Sequence, residues 1–583
     1  MSTTPHNFKS DAAVFYSAAA LAEAPRLLSL LDREPQSPTY GSFDREHWAW
    51  KFRDFPLGMQ QTAVYPLALL WRHPFSDSPY HQNERLLQWI FGAIEQTLAR
   101  QHANGAFDAF APNEQDPGPT LGVLHGLLEA WRLAGEHAPA PLAQRFHVAA
   151  RKACDFAMRR EETETHAFVS NHWALFAVAF FDVAELLGDQ HYRRRAEAVI
   201  ARILREQSPD GWYNEYGGPD PGYESLSLFH LAVYWQRTGS REVLESLRRC
   251  IGFYAHCVHP DGGVGGVYGH RHTSLYFPGG FEILAPQLPM AASLARYMRE
   301  RWHRSNVLTP GVSDAENLPS MCYTYLEAAL AAREPSTTEP LPYERLEGER
   351  HFPDSGLLVV GNLNYYAMAH TKRGGLLRVF EKPAGKLAYE DAGYLVRAGG
   401  RLWTSQMAGL GAAARSGKTA TCRTQFCEVR PLVPTPGRFM VLRLLNLTLF
   451  RSLLLGEWLR KLIVKRLILT RHTGPLALCR TLAFHAEEIE FRDQLTLVQP
   501  MPVEEVALPR EFTAIHMGSA KYFHPSQLDP LPSPPVEGIA RALNRGRAEN
   551  EFKLVFAPGK KPEIVGCAGA PPITAPIEEL AKA

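Results

Sequence analysis

Asn171 and His172 open the apolar run "NHWALFAVAFF", and Tyr223 and Glu224 open a second one, "YESLSLFHLAVYW", roughly fifty residues later. The stretch "GGVYGHRHTSLYFPGGFE" adds His270, Arg271 and His272. An amide, an imidazole, a phenol and a guanidinium suit one reaction well, the β-elimination of a uronic acid unit. The proton at C5, beside the carboxylate, is weakly acidic until the carboxylate charge is offset and the enolate-like intermediate is stabilised. Asn, His and Arg donors can do both. A Tyr or His near C5 serves as base, and a Tyr or His beside the bridging oxygen serves as acid. The chemistry requires neither metal nor cofactor. Each residue also has a structural alternative: Asn171 caps its helix, His172 fills a wall, Tyr223 packs on a Pro-Gly loop, and Arg271 bridges to Glu215 or Asp220.

These residues need a scaffold that brings successive helix starts to one place. Three loops share a grammar of Asn or Asp, then Gly, then aromatic and acidic residues: "NGAFDAFAPNEQDPGPT", "DGWYNEYGGPDPGYES" and "DGGVGGVYGHRHTS". Apolar helices are predicted to begin near Leu57, Pro117, Asn171, Tyr223, Leu275 and Leu318, at intervals of roughly fifty residues, the length of a helical hairpin in a repeat array. Amphipathic helices such as "HYRRRAEAVIARILREQ" and "REVLESLRRCIGFYAHC" lie between them. The alternation predicts an inner ring of apolar helices wrapped by an outer amphipathic ring, an (α/α)6 toroid over residues 1–335. "SDAAVFYSAAALAEAPRLLSLL" supplies the sixth outer helix, with closure of the ring left open. Parallel inner helices would gather their N-termini at one end, where unpaired N–H groups and helix dipoles favour anions. Ser170 is the expected N-cap of the helix that carries Asn171 and His172.

After a Pro- and charge-rich linker, set at 336–350, the pattern changes. "GLLVVGNLNYYAMAH", "GGLLRVFEK" and "CRTLAFHAEEIEFRDQLTLV" are strand-like runs that predict an antiparallel β-sandwich over 351–583. One insertion interrupts it at about 438–470, very apolar yet carrying Arg443, Arg451, Arg460, Lys461, Lys465 and Arg466. Charges at that frequency argue against a membrane span. Two readings remain, an amphipathic helix packed on the sandwich or a basic helix lying on a membrane surface.

A net charge of +1 argues against nucleic acid as the main partner. Eight cysteines show no disulfide framework, and Cys422 and Cys427 have no companion pair for a zinc site. The N-terminal "MSTTPHNFKSDAAVF" lacks the apolar stretch of a signal peptide. These features predict a cytoplasmic protein with reduced thiols, peripheral to the inner membrane face if the 438–470 segment lies on lipid.

A helical toroid followed by a β-sandwich, an Asn-His pair opening one inner helix and a Tyr about fifty residues later resemble the heparinase II/III-like and alginate-lyase-like polysaccharide lyases. The resemblance covers nearly the whole chain in architecture and rests on short residue motifs. It implies that Asn171 and His172 form the carboxylate site and that Tyr223 transfers the proton, with no cofactor and an acidic polysaccharide or oligosaccharide as partner. "GHRHTSLYFPGGFE" resembles a substrate-contacting loop of some relatives, which implies contacts from Arg271 and His272, with Glu224 alongside. Such lyases carry a "GHGH…D"-like run early in the sandwich. This chain has "YYAMAHTKRGGLLRVFEKPAG" instead, leaving His370 or Tyr366 for the second catalytic role.

Two other functions fit the same scaffold. A glycoside hydrolase would draw on Asp108, Glu114, Glu215, Asp220, Glu224 and Glu282, two of which would have to face each other across a cleft. A non-catalytic role in making or assembling a surface polysaccharide would use the basic apolar segment.

Overall fold

The structure, a computed structural model, describes residues 10–160, 169–302, 308–333, 337–406, 412–416, 418–430, 433, 435–452, 455–456, 458, 462, 472–515, 517–557 and 559–566. Arg460, Lys461, Lys465 and Arg466 of the basic segment lie outside the described residues.

Six inner helices, Val64–Arg72, Pro117–Ala134, Ser170–Leu187, Pro221–Thr238, Gly279–Leu284 and Leu318–Ala331, form a ring. Each packs on the next and the last returns to the first, so the ring is closed. They are buried on nearly every face, which is why their sequences are apolar all round. Six outer helices wrap them: Asp11–Leu30, Glu84–Leu98, Ala140–Arg160, Gln190–Glu206, Arg241–Tyr254 and Pro289–Arg301. The outer helices bury one stripe each; in Arg241–Tyr254 this is Val243, Leu247, Cys250, Ile251 and Tyr254. The Asp11–Leu30 helix packs on Leu318–Ala331 and so completes the sixth pair.

The shared loop grammar has a local cause. In both "DPG" sequences the Asp side chain caps a helix whose first residue is Pro: Asp116 accepts from Gly118 N and Asp220 from Tyr223 N. Pro at that position gives up an N–H that the helix would leave unpaired anyway. The Ser170–Leu187 helix starts differently from expectation. Val169 occupies the cap position without a side-chain bond, and Ser170 is already helical.

The C-terminal part is two antiparallel sheets. The first has five strands in the order β1 (Gly348–Phe352), β2 (Leu357–Gly361), β3 (Tyr365–His370), β4 (Leu376–Glu381) and β5 (Lys386–Asp391). The second has nine, β6 (Leu395–Ala398) to β14 (Glu563–Gly566), with β9 (Thr419–Val429), β10 (Thr473–Phe484) and β11 (Glu488–Leu497) at its centre. Val359, Tyr366, Met368 and Phe380 of the first sheet join the toroid core. Its other face, with Tyr365, Ala367, Leu377 and Val379, packs on Phe491 and Phe552 of the second sheet. A sheet covered on both faces has no solvated side, so β2 and most of β3 read as continuous apolar runs, while β4 is interrupted by Arg378.

The insertion departs from the sandwich-packed reading. Its described helix, Pro436–Leu447, buries only Asn446. Its polar contacts run to the toroid: Arg443 pairs with Asp54 at 3.0 Å, and Asn113 Nδ2 donates to the Asn446 carbonyl at 2.9 Å.

Candidate active site

Period-two alternation along β3 puts His370 on the same face as Tyr366 and Met368, the face turned to the toroid. From that side Arg373 Nη1 donates to the Gly269 carbonyl at 2.8 Å, and Arg378 Nη1 to that of Gly265 at 2.9 Å. The sandwich therefore holds the loop that carries His270, Arg271 and His272.

Asp220 holds the same loop from below. Besides capping the Tyr223 helix, its carboxylate accepts from Arg271 N at 2.8 Å, from Thr273 N at 3.2 Å and from Thr273 Oγ1. The backbone N–H groups on both sides of His272 are thus fixed, and His272 itself takes a left-handed φ of 57°. A non-glycine residue in that region is costly and persists only where its surroundings over-determine it.

Glu215 is the centre of the cluster and is fully buried. It accepts from Asn171 N at 3.1 Å, from Asn171 Nδ2 at 2.7 Å to each carboxylate oxygen, and from Arg271 Nη1 at 3.0 Å. A loop carboxylate therefore caps the Ser170–Leu187 helix, the task expected of Ser170. Arg271 in turn lies over two rings, 3.8 Å from the Tyr223 centroid and 4.9 Å from that of Tyr216. The Tyr223 hydroxyl is hydrogen-bonded to Ser519 Oγ at 2.9 Å. Burial raises the Tyr223 phenol above the ordinary value, and the Arg271 cation works against that rise. Glu215 is raised by burial and lowered by Arg271 and Asn171.

Sequence reasoning missed the cover of the site. Residues 517–522 reach from the sandwich across the start of the inner helices: Arg271 Nε donates to Met517 Sδ at 3.2 Å, and Asn317 Nδ2 to Tyr522 Oη at 3.0 Å. Ser519, within this cover, is buried. A short polar stretch with no period offers no sequence signal for such a role.

The expected residues divide into groups. Asn171, Arg271 and Tyr223 join through Glu215. His172 is half-buried, its ring 6.4 Å from that of Phe176. His272 and His370 are brought together with His270 beside Arg373 at the toroid–sandwich junction, where burial and then Arg373 push both imidazoles well below the ordinary value. Both ring nitrogens of His272 and Nδ1 of His370 have no hydrogen-bond partner among the described residues. Tyr366 is not available for proton transfer, because it is fully buried and donates to the His256 carbonyl at 2.9 Å.

Glu224 is fully buried and does not join the Asn171, Arg271 and Tyr223 cluster. It follows Tyr223 on the helix but points inward, accepting from Tyr213 N at 3.0 Å and from the Cys250 thiol at 3.1 Å. Burial pushes its carboxyl up to about 8. The folded chain then holds this proton more tightly than the unfolded chain, so stability is full below the unfolded value, roughly 4.3, and falls as pH rises through 8. Glu224→Gln cannot ionise. Relative to its standing at pH 5, it is expected to gain about 4 kcal/mol on the parent protein by pH 9, read from thermal melts across that range.

The other carboxylates of the hydrolase reading are also engaged. Glu282 binds Tyr16 and Arg299, Glu114 accepts from Ala109 N and Phe110 N, and Asp108 binds His102 and the backbone of Asn113 and Gln115. Among the described residues two groups have metal-ligand spacing, His125/Glu129/Asp182 and His485/Glu488/Glu490. In the first, Arg237 already bonds Glu129 and Asp182; in the second, Lys553 lies within 2.7 Å of both glutamates. Cys422 and Cys427 are buried on β9, neither of them in a disulfide.

No protein-family model and no curated protein sequence matches the chain. Among solved structures it is similar to Paenibacillus xanthan lyase, at 12% identity and a TM-score of 0.50, over 86% of this chain and 47% of that one. It is also similar to the Streptomyces coelicolor A3 chondroitin AC lyase in complex with chondroitin sulphate, at 14% identity and a TM-score of 0.52, over 86% of this chain and 69% of that one. The chain thus spans about half the length of the xanthan lyase. The fold, an α/α toroid followed by antiparallel β-sheets, is the one these polysaccharide lyases have.

Proposed function

We propose that the protein is a polysaccharide lyase that cleaves a uronate-containing glycan by β-elimination, with Tyr223 as the proton-transfer residue. The observation that carries this reading is the Arg271 guanidinium 3.8 Å from the Tyr223 ring centroid, at the start of an inner helix. A cation on the ring favours the phenolate and so counters the burial that would otherwise keep the phenol protonated. The phenolate takes the C5 proton, and the phenol so formed protonates the departing glycosidic oxygen. Asn171 and Arg271 supply the donors for the substrate carboxylate, and the substrate must share them with Glu215. That competition sets a requirement on the substrate: its carboxylate has to arrive between an amide and a guanidinium that a protein carboxylate already bridges. The hydrolase reading has less support, since each of its six carboxylates is held by protein donors.

The test is incubation with a panel of uronate polysaccharides, following the ultraviolet absorbance of the unsaturated uronate that elimination creates. Absorbance rising with new reducing ends is the expected result. Reducing ends without absorbance would show hydrolysis, and no product from any acidic glycan would end the enzymatic reading.

A further inference from the structure

The Pro436–Leu447 helix inverts the usual burial pattern. Its apolar residues point outward: Met440 is 73% exposed and Leu444 63%, and Phe439, Val441, Leu442, Leu447 and the following Leu449 are exposed as well. It shares this face with a separate part of the chain. Trp50 and Phe52, 61% and 80% exposed, stack at 6.0 Å, and Lys51 to Asp54 line one recess of about 500 Å³ with Pro436, Phe439, Met440 and Arg443. The Arg443–Asp54 pair ties the two halves together. A contiguous exposed apolar face of this kind marks an interaction surface.

The charge on the face says which surface it fits. Residues 435–452 hold Arg438, Arg443 and Arg451 with no acidic residue, and Lys51 is exposed on the facing loop. A second copy of the chain is a poor occupant, because a twofold interface would set these cations against themselves. An anionic bilayer meets them with the opposite sign and takes the apolar side chains at the headgroup–acyl boundary. The helix, twelve residues or about 18 Å long, is too short to span a core of about 30 Å. No helix among the described residues is long and apolar enough to cross a membrane.

We propose that the face formed by the Pro436–Leu447 helix with Trp50 and Phe52 docks the protein onto an anionic phospholipid surface. The proposal does not rest on the lyase reading. Asn113, in the loop leading to the Pro117–Ala134 inner helix, bonds the docking helix, so docking sets the rim of the toroid beside the lipid headgroups.

Flotation of the full-length protein with vesicles of phosphatidylcholine alone, or of phosphatidylcholine mixed with phosphatidylglycerol, tests this. Partitioning is expected to be at least about tenfold stronger on the anionic vesicles and to weaken as salt is raised. Met440→Glu/Leu444→Glu and Arg438→Glu/Arg451→Glu are each expected to lose about tenfold in partitioning with unchanged thermal melts, all four side chains being exposed. Equal binding to both vesicle types, or unchanged partitioning of either variant, would overturn the proposal. So would absent vesicle binding with a light-scattering dimer that Met440→Glu/Leu444→Glu abolishes, which would assign the face to a second copy.

Discussion

Tyr223→Phe is expected to lower the lyase rate by about a thousandfold while leaving the thermal melt within about 1 kcal/mol of the parent protein. The substitution keeps the ring on which Arg271 stacks and removes a hydroxyl that is hydrogen-bonded to Ser519. A stability effect is therefore confined to one hydrogen bond, and a rate effect of this size has to come from lost proton transfer. The pH profile supplies an independent check. Burial raises the phenol above its ordinary value, so the phenolate fraction, and with it kcat/KM, is expected to climb toward alkaline pH. Arg271→Ala removes the opposing cation and is expected to move that limb to higher pH. An undiminished rate for Tyr223→Phe, followed by the absorbance of the unsaturated product, would remove Tyr223 from the reaction.

The second large effect is expected at Asp220, as loss of stability and activity together. Its carboxylate accepts from the backbone of Tyr223, Arg271 and Thr273 and from the Thr273 hydroxyl, all in a fully buried setting. Bonds to a charged acceptor contribute about 1.5–3 kcal/mol each, without simple additivity, so Asp220→Ala is expected to cost about 4 kcal/mol. It leaves these donors unpaired and frees the loop that holds Arg271 over the phenol. Denaturant melts with rate measurements on the residual folded fraction check both parts. Asp220→Asn, which keeps one acceptor oxygen, is expected to fall between.

The ring of inner helices was readable because loop grammar and apolar runs recur together. Five of the six starts fall within four residues of the positions expected, and only the first, placed near Leu57, begins later at Val64. The sheets were readable from the short apolar runs between turn residues. The Arg271–Glu215 pair was readable as a bridge between loop residues; the joining of Asn171 to that pair was not. Glu215 has no distinguishing neighbour in "NEYGGPD", and its role arises because the Val169–Glu215 bridge brings it against a helix start forty-odd residues away in sequence. Glu224 illustrates the opposite error, since adjacency to Tyr223 suggested a shared cleft. One residue step on a helix turns a side chain by about 100°, enough to send it to the outer layer. For the 438–470 segment composition left two readings, packing on the sandwich or lying on lipid, because composition alone does not say which apolar helix finds a partner.

Ser519 has one more consequence. The hydroxyl that meets Tyr223 belongs to a different part of the chain from the phenol, so on the lyase reading proposed above a sugar oxygen would exchange with an incumbent instead of filling a void. Under that exchange, apparent affinity is expected to fall with the fraction of molecules in which Ser519 still holds the phenol. Trimming the incumbent, as in Ser519→Ala, is expected to tighten saturation and, because the Ser519 bond also lowers the Tyr223 phenol, to move the alkaline limb of kcat/KM to higher pH.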